Sequence, residues 1–269
     1  MSTSESGVAT APGSPNTSGP LLSLQGNSKT FGPVRALTDV DLDVPAGKVT
    51  ALVGDNGAGK SSLIKTISGL WPPDDGQIYW EDRPVNLHGP RDAEALGITT
   101  IYQDLALADN LDIVQNMFLG HEPTIRGLLD EGTMETRARN TLKELNVTTV
   151  RSIRQPVASL SGGQRQSVAV AKAVMSNAKL VIMDEPTAAL GVAQTTMVLN
   201  LIKTLSGRGV AVMVVSHNMN DVFEVADRIA VLYLGRLVAS APASEFDRQN
   251  VVEYMTSGTA SHQVSNGAA

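Results

Sequence analysis

A glycine-rich segment in the first quarter of the chain joins an apolar run to a helical pattern. Residues 54–62 read Gly-Asp-Asn-Gly-Ala-Gly-Lys-Ser-Ser, which fits the phosphate-loop spacing G-x-x-x-x-G-K-S/T. Residues 48–53 have the β-branched, apolar character of a buried strand. Leu63, Ile64 and Ile67 recur at helical spacing. The segment is therefore predicted to lie between a strand and a helix, with phosphate groups bound at the helix N-terminus.

The residue types within this segment each have a chemical reason. Glycines let backbone N–H groups approach an anion without a Cβ in the way. Lys60 is expected to reach between the β- and γ-phosphates, and the Ser61 hydroxyl to contact Mg²⁺. A glycine-rich turn that fits the spacing by chance is the alternative, and the flanking strand and helix count against it. The predicted phosphate-binding segment comprises Gly54, Asp55, Asn56, Gly57, Ala58, Gly59, Lys60, Ser61 and Ser62.

The composition argues against nucleic acid as the main partner and excludes disulfides and a membrane-spanning segment. The 269 residues include 21 basic and 27 acidic ones, for a net charge of −6, and no basic stripe supplies the counterion release typical of nucleic-acid binding. The absence of cysteine excludes disulfides and thiol chemistry. No apolar run approaches the roughly 18–20 residues that span a bilayer, and no secretory signal pattern opens the chain. We expect a soluble chain whose membrane role, if it has one, comes through a partner.

Sequence patterning divides the chain into an ordered domain and two tails. Residues 1–20 and 257–269 are rich in small and polar residues and are predicted to be a disordered leader and tail. Residues 21–256 are predicted to form one α/β domain, with short strands first and a mainly parallel sheet later. Residues 104–176 show helical periodicity, with no strand predicted between 112 and 176. They are interpreted as a helical subdomain inserted into the α/β domain.

An apolar run that ends in acid is the second chemical signal. Residues 180–186 read Leu-Val-Ile-Met-Asp-Glu-Pro, so Asp184 is predicted at the C-terminal edge of a parallel strand, where nucleotide sites lie. Asp184 is placed to hold Mg²⁺, and Glu185 to polarise the attacking water as a general base. The alternative is an acidic strand end that faces solvent.

Three further residues are candidates whose local pattern leaves two interpretations open. Gln103 follows the β-rich run 98–102, where it can reach a metal ion or a water, or remain a surface residue. His217 follows the buried strand 210–215, where it can donate to a γ-phosphate oxygen or serve the structure. Phe31 lies in a turn, where it can stack on adenine or pack as a peripheral core residue.

The segment Leu-Ser-Gly-Gly-Gln at residues 160–164 also has two interpretations. Ser161 and Gln164 fit a helix capping box, which is a complete structural explanation. The functional alternative is a second anion site made by the Ser161 hydroxyl, the amides of Gly162 and Gly163, and the helix N-terminus. The residues alone do not choose between these interpretations.

Taken in order, these motifs resemble the ATP-binding subunit of ABC transporters over residues 22–240. The 160–164 segment is the specific part, because a phosphate loop alone fits many kinases and GTPases. The resemblance implies an ABC-type P-loop NTPase fold with an antiparallel β part, ATP and Mg²⁺ as ligands, and Phe31 as the adenine-stacking aromatic. The family motifs correspond to Walker A at 54–61, the Q-loop residue Gln103, the signature at 160–164, Walker B at 180–185 and the switch residue His217.

The resemblance also implies an assembly. Two ATP-binding domains pair head to tail in this family, so Ser161 and Gly163 would contact ATP held by the partner chain. The helical subdomain would dock a membrane subunit, with Gln103 and Asp184 contributing to the Mg²⁺ site. Gly191 stands where many family members carry an Asp that helps link the two ATP sites.

Several stretches are similar to the ATP-binding subunits of bacterial monosaccharide importers of the ribose, xylose or fructose type. They are residues 184–191, 101–120 and 216–223. Because the chain carries one copy of each motif, the resemblance implies a homodimer or a pair with a similar subunit. It further implies two permease subunits, an extracytoplasmic sugar-binding protein and a peripheral location at the cytoplasmic face of the membrane.

Other functions remain open at this point. The chain can serve an importer of another small solute, or act as an ABC ATPase outside transport, in DNA repair or on ribosomes. Non-transport members usually carry extra arms, coiled coils, zinc motifs or basic patches, and the sequence shows none of these. A P-loop kinase of a small metabolite is the remaining alternative, although a kinase has no use for the 160–164 signature.

Overall fold

The computed structural model describes residues 19–260. Most of the predicted leader and tail, residues 1–18 and 261–269, lies outside the described residues. The strands are β1 (Leu22–Phe31), β2 (Val34–Val44), β3 (Val49–Val53), β4 (Asp75–Trp80), β5 (Arg83–Val85), β6 (Ile98–Ile101), β7 (Thr124–Ile125), β8 (Leu128–Leu129), β9 (Leu180–Asp184), β10 (Ala211–Val215), β11 (Arg228–Tyr233) and β12 (Arg236–Pro242). The α-helices are α1 (Lys60–Ile67), α2 (Pro90–Leu96), α3 (Ile113–Phe118), α4 (Glu131–Glu144), α5 (Gly162–Met175), α6 (Val192–Gly207), α7 (Met219–Val225) and α8 (Arg248–Ser257).

A six-stranded sheet forms the centre of the molecule, in the order β12-β11-β3-β10-β9-β6. The four pairings from β11 through β3, β10 and β9 to β6 are parallel, and β12 is antiparallel to β11. The predicted mainly parallel core is therefore confirmed. Its parallel strands bring the C-terminal ends of β3, β6, β9 and β10 to one edge, and the residues that follow these ends include most of the predicted site.

The parallel strands are apolar throughout because both faces of the sheet are covered. Val181 and Met183 of β9 pack with side chains of α5 and α6 on one face. Leu180 and Ile182 point to the other face, which packs on α1 and the antiparallel sheet. This two-sided burial explains why β9 reads as a continuous apolar run without alternation.

The antiparallel part of the fold is a second sheet in the order β2-β1-β4-β5. Its strand β2 shows the alternation expected of a half-exposed strand, since Val40, Leu42 and Val44 are buried while Asp41 is exposed and Asp43 is half-buried. Alternating burial of this kind places one face of the sheet on the core and the other toward solvent.

Residues 113–175 hold the helices α3, α4 and α5, which pack on one another. The prediction that no strand lies between 112 and 176 is wrong, because β7 and β8 form a short antiparallel hairpin there. Arg126 and Gly127 make its turn with φ of 53° and 83°, the paired positive angles of a type I′ hairpin turn. Strands of two residues are too short to show an alternating pattern, so no periodicity marks this hairpin in the sequence.

Helix α8 extends to Ser257, the first residue of the segment predicted to be a tail. Within residues 19–260, no helix combines the length and the apolar character that crossing a bilayer requires.

Candidate nucleotide site

The glycine-rich loop connects the end of β3 to the start of α1 at the C-terminal edge of the central sheet. Two of its glycines are required by their neighbours. A Cβ at Gly54 would lie 2.4 Å from the carbonyl oxygen of Leu232, and one at Gly59 would lie 2.7 Å from that of Ala36. Gly59 also adopts φ 107°, which side chains disfavour. The glycines therefore let the loop fold tightly against β2 and β11.

The start of α1 leaves its amides without a side-chain cap. Gly59 is the N-cap residue, and among the described residues 19–260 no side-chain hydrogen bond closes this helix end. Lys60 folds back over the loop, where its Nζ donates to the carbonyl oxygens of Gly54 at 2.7 Å and Asp55 at 3.0 Å. Free amides and an ammonium group at a helix N-terminus provide the positive field that a phosphate chain needs.

Asp184 lies at the end of β9, half-buried and within electrostatic reach of the loop. Burial raises the pKa of its carboxyl group, and the charge of Glu185 raises it further, while Lys60 and Lys65 act in the opposite direction. The effect of Lys60 on Asp184 shows that the structure brings the Walker B carboxylate and the phosphate loop into one electrostatic site.

Glu185 and His217 are in direct contact although they follow different strands. His217 Nδ1 lies 2.8 Å from Glu185 Oε1. The Glu185 side chain is only 18% exposed, whereas that of His217 is 69% exposed. The backbone N–H of Glu185 donates to the carbonyl of Val215 at 2.8 Å, which ties the end of β9 to the end of β10. The pairing of these parallel strands therefore produces the carboxylate–imidazole contact.

Gln103 lies in an exposed segment after β6, which pairs directly with β9. The loop that follows it is held by Asn116, a fully buried residue of α3. Asn116 Oδ1 accepts from the N–H of Ala108 at 2.7 Å, and its Nδ2 donates to the carbonyl of Ala108 at 3.0 Å. It also donates to the carbonyls of Leu111 and Asp112. Sequence reasoning missed Asn116, whose signal is an amide within an apolar helix face.

The signature segment forms the predicted capping box at the start of α5. Gln164 N–H donates to Ser161 Oγ at 3.4 Å, and Ser161 N–H donates to Gln164 Oε1 at 2.9 Å. A Cβ on Gly162 would lie 2.7 Å from Leu190 Cδ2, and one on Gly163 would lie 2.7 Å from Met197 Cε. Helix capping and close packing therefore account for the residue types of this motif within one chain.

The signature segment lies apart from the phosphate loop. Across residues 19–260, no hydrogen bond or ion pair joins residues 160–164 to residues 54–62. Instead, Ser161 and Gln164 line a cavity with the end of α4 and with α6. One chain therefore brings together the loop, Asp184, Glu185 and His217, and leaves Ser161 outside this group.

The family model described as "ABC transporter" matches residues 37–188, from β2 through the Walker B carboxylates. The chain belongs to the ABC transporter family. The fructose import ATP-binding protein FrcA of Rhizobium meliloti is 47% identical over 244 residues, which cover 88% of this chain and 94% of FrcA. A xylose/arabinose import ATP-binding protein of Sulfolobus acidocaldarius is 44% identical, with the same two coverages of 88% and 94%.

A solved structure supports the same assignment. A dimeric ATP-binding cassette in a post-hydrolysis state, bound to ADP and phosphate, matches with a TM-score of 0.69 at 26% identity. The match covers 84% of this chain and 100% of that one. As an ABC ATP-binding protein, the chain is an ATPase that binds ATP.

The oxygen donors beside the loop fit a magnesium ion in this ABC protein. Mg²⁺ is usually held by one or two protein oxygens together with substrate phosphates. Ser61 presents an exposed hydroxyl in the first turn of α1, and Asp184 presents a carboxylate beside a second one at Glu185. A half-buried carboxylate whose pKa is raised by a neighbouring negative charge is an environment that a divalent cation relieves.

Phe31 packs on a second aromatic residue that sequence reasoning missed. Its ring and that of Trp71 are 4.6 Å apart at 64°, and Lys65 of α1 places its Nζ 4.2 Å from the Trp71 ring centroid. Phe31 remains 38% exposed. The two rings form an aromatic corner beside the helix that carries Lys60. The available signal was Trp71 immediately before the Pro-Pro turn at 72–73.

Proposed function

We propose that this ATPase energises the import of a monosaccharide across a membrane. The observation that carries hydrolysis is the 2.8 Å contact between Glu185 and His217 at the sheet edge that also holds the phosphate loop. The cargo is supported by the two relatives, which are named for import of fructose and of xylose or arabinose. Importers of other small solutes and ABC ATPases outside transport are the alternatives that the experiment below distinguishes.

The residues of one chain divide the chemistry between binding and proton transfer. Lys60 and the loop amides hold the β- and γ-phosphates of ATP. Ser61, Asp184 and Gln103 would hold Mg²⁺, which would supply charge neutralisation at the phosphates. Glu185 Oε accepts a proton from water as the water oxygen bonds to the γ-phosphorus and the bond to the β-phosphate oxygen breaks. ATP and water thus give ADP and inorganic phosphate, with the proton of the water taken up by Glu185.

His217 has a positioning part and an electrostatic part in this scheme. Its Nδ1 contact orients the Glu185 carboxylate. Its exposed ring is placed to donate to a γ-phosphate oxygen, where charge develops in the transition state. Phe31 stacks on the adenine, because a flat aromatic face beside the phosphate loop suits a flat base, and the Trp71 ring, inclined at 64°, packs edge-on against Phe31.

The separation of the signature segment from the phosphate loop supports a site that two chains share. We propose a head-to-tail pair of two copies of this chain, in which Ser161 and Gly163 of one copy contact the ATP on the loop of the other. Ser161 is exposed at the N-terminus of α5 and is therefore accessible to such a partner. ATP would then join the pair and hydrolysis would release it, which couples the nucleotide to two global states.

A groove behind the Gln103 loop supports docking of a membrane permease. It encloses about 610 Å³ between α2, β6, α3 and α5. Apolar side chains form part of it, namely the buried Ile101, Met117 and Phe118 and the partly buried Leu105. Charged or ionisable side chains also line it, namely Arg91, Glu94, His121, Arg137 and Lys172. We propose that a short amphipathic cytoplasmic segment of each of two permease subunits binds here.

This docking links transport to the nucleotide site. Ile101 and Leu105 flank Gln103, so a segment bound in the groove contacts both ends of the Gln103 segment. The ATPase would lie peripherally on the cytoplasmic face of the membrane, and the permease would receive its sugar from a binding protein on the other side. Nucleic acid is not among the proposed partners.

The test is uptake of labelled pentoses and hexoses by a strain that lacks this chain. The strain is restored in turn with the wild type, Lys60→Ala, Glu185→Gln and Glu224→Gln. Glu224 is an exposed residue of α7 whose ion pair with Lys203 lies outside the site, so its variant is the matched control. We expect one sugar's uptake to be lost, to return with the wild type and Glu224→Gln, and to stay absent with the other two variants.

Other results would contradict parts of the proposal. Uptake of a non-sugar solute that follows the same pattern would overturn the sugar assignment and leave the importer. Unchanged uptake of every solute, together with nucleic acid or ribosomes that co-purify with the chain, would favour a non-transport ATPase. Wild-type hydrolysis of ATP by the purified Glu185→Gln protein would show that another group is the base.

A further inference from the structure

The loop that leaves Glu185 has a strained backbone. Glu185 and Ala189 are not glycine, yet they adopt φ of 49° and 59°, the left-handed region that side chains disfavour. Within the loop, Ala188 N–H donates to the Glu185 carbonyl at 3.1 Å, and Leu190 N–H donates to the Thr187 carbonyl at 3.2 Å. Strained conformations persist only when surrounding contacts over-determine them, so contacts from outside this loop are needed.

Thr187 provides such a contact with helix α7. Its Oγ1 donates to Oδ2 of Asp221 at 2.6 Å. Asp221 is 7% exposed, so the hydroxyl satisfies a carboxylate that is largely removed from water. The bond therefore joins the segment immediately after the proposed base to a helix that begins immediately after His217.

Helix α7 is in turn fixed to the histidine. Asn218 is its N-cap, and the Asn218 side chain accepts from the N–H of Asn220 at 3.0 Å. The Asn218 N–H donates to Ser216 Oγ at 3.1 Å. His217 thus lies between two anchored neighbours, and a shift of α7 moves the imidazole with it.

We propose that the Thr187–Asp221 hydrogen bond is a positioning element for hydrolysis, which sets the geometry of the Glu185–His217 pair. It closes a ring with the Glu185–His217 contact and with the backbone bond from Glu185 to Val215. Thr187 and Asp221 touch neither ATP nor water in this proposal and act through Glu185 and His217. The inference rests on the ATPase activity of the chain and is independent of its cargo.

The test is steady-state ATP hydrolysis by the purified full chain and five variants. Thr187→Val removes the hydroxyl at nearly constant volume, Thr187→Ser keeps it, and Asp221→Ala removes the acceptor. We expect Thr187→Val and Asp221→Ala to lower kcat about 10-fold or more, because small displacements of catalytic groups have effects of this size. Nucleotide affinity should stay within about twofold, because the phosphate loop is untouched.

Two comparisons separate positioning from a merely structural role. Thr187→Ser should recover kcat to within about threefold of the wild type. The double variant Thr187→Val/Asp221→Ala should lose no more than the worse single variant, since both changes break one bond. Glu224→Gln, which breaks an exposed ion pair between α6 and α7, should leave kcat unchanged.

The contrary results are equally definite. A wild-type kcat in Thr187→Val, or equal losses in Thr187→Val and Thr187→Ser, would show that the hydroxyl does not position the pair. Loss of nucleotide affinity in step with kcat, or failure of Thr187→Val to fold, would assign the bond to stability. Additive losses in the double variant would show that the two residues act separately.

Discussion

Glu185 carries the proposed catalytic carboxylate on a left-handed backbone, at φ 49°. A non-glycine residue in such a conformation costs on the order of 1–3 kcal/mol, which glycine would avoid. The residue therefore provides a side chain that glycine cannot. The Glu185 side chain contacts His217, and the strained backbone at Glu185 directs the side chain toward it.

At Glu185 the backbone conformation lowers the stability of the fold, whereas at Asp184 the ionised side chain does so. Its pKa is raised by burial and by the charge of Glu185, so the charged form is disfavoured in the folded chain. Below the ordinary aspartate pKa of about 3.9 the group is protonated in both states, and its contribution is neutral. As the pH rises from there toward the raised folded pKa, the unfolded state loses its proton first and stability falls.

Asp184→Asn is accordingly expected to raise the free energy of unfolding at neutral pH and to abolish ATP turnover. The stability gain should shrink as the pH falls and should vanish near pH 4, as measured by urea unfolding of the nucleotide-free chain at a series of pH values. Asp74→Asn is the control of opposite sign, because hydrogen bonds from Lys29 and Thr30 lower the pKa of Asp74. Its variant should lose stability at neutral pH. A stability loss in Asp184→Asn at pH 7 would contradict the argument.

Sequence analysis located those candidate residues that directly follow an apolar, strand-like run in the chain. Asp184 and His217 could be located because buried apolar strands precede them and parallel strand ends share an edge. Their neighbours could not be found in this way. Trp71 and Asn116 acquire their roles only when Phe31 and the Gln103 loop are brought against them, and those contacts depend on tertiary packing.

Two helices of the site region start in different ways. Helix α5 has a full capping box at Ser161, whereas α6 begins at Gly191 without a side-chain cap. The missing family Asp at this position therefore also removes a helix cap, although the difference between Asp and Gly at an N-cap is only a few tenths of a kcal/mol. A Cβ at Gly191 would meet no atom of residues 19–260 within 4 Å, so packing within this part of the chain does not require the glycine.

Substitution of Ser161 separates its two predicted roles. Ser161→Ala should lower the free energy of unfolding by about 1 kcal/mol, the usual value for a lost N-cap. Ser161→Asp should keep the stability, because Asp caps as well as Ser, but should lose ATP turnover, because its charge repels a phosphate. Chemical unfolding and phosphate-release assays measure the two effects. Full turnover in Ser161→Asp would show that the segment is a helix cap only.

At the scale of the whole molecule, sequence patterning predicted the main sheet and the long helices better than the short elements that connect them. The mainly parallel sheet and the helices α4 and α5 follow from patterns over many residues, whereas the antiparallel part is implied by the family resemblance. The β7–β8 hairpin was missed because its pairing is two residues long on each side. Its apolar side chains Ile125, Leu128 and Leu129 are 59%, 75% and 56% exposed, so burial in this chain does not specify it.

If two chains share each ATP site, dimers that combine two different variants should show it. Lys60→Ala disables the phosphate loop of its own chain, and Ser161→Asp disables the signature that the chain offers to its partner. A dimer with one chain of each kind holds both defects in one site and leaves the other site intact. Purification through two different affinity tags should give heterodimers with about half the wild-type ATPase rate, since one of two symmetric sites survives, while each parent homodimer is inactive.

The matched control reverses the expectation. A heterodimer of the wild type with the double variant Lys60→Ala/Ser161→Asp carries one defect in each shared site, so it should be inactive. If each chain instead completed its own site, this control would keep about half the activity and the first heterodimer would have none. The two preparations contain the same substitutions in the same number. Their difference in phosphate release therefore depends only on whether Ser161 serves the ATP of its own chain or that of its partner.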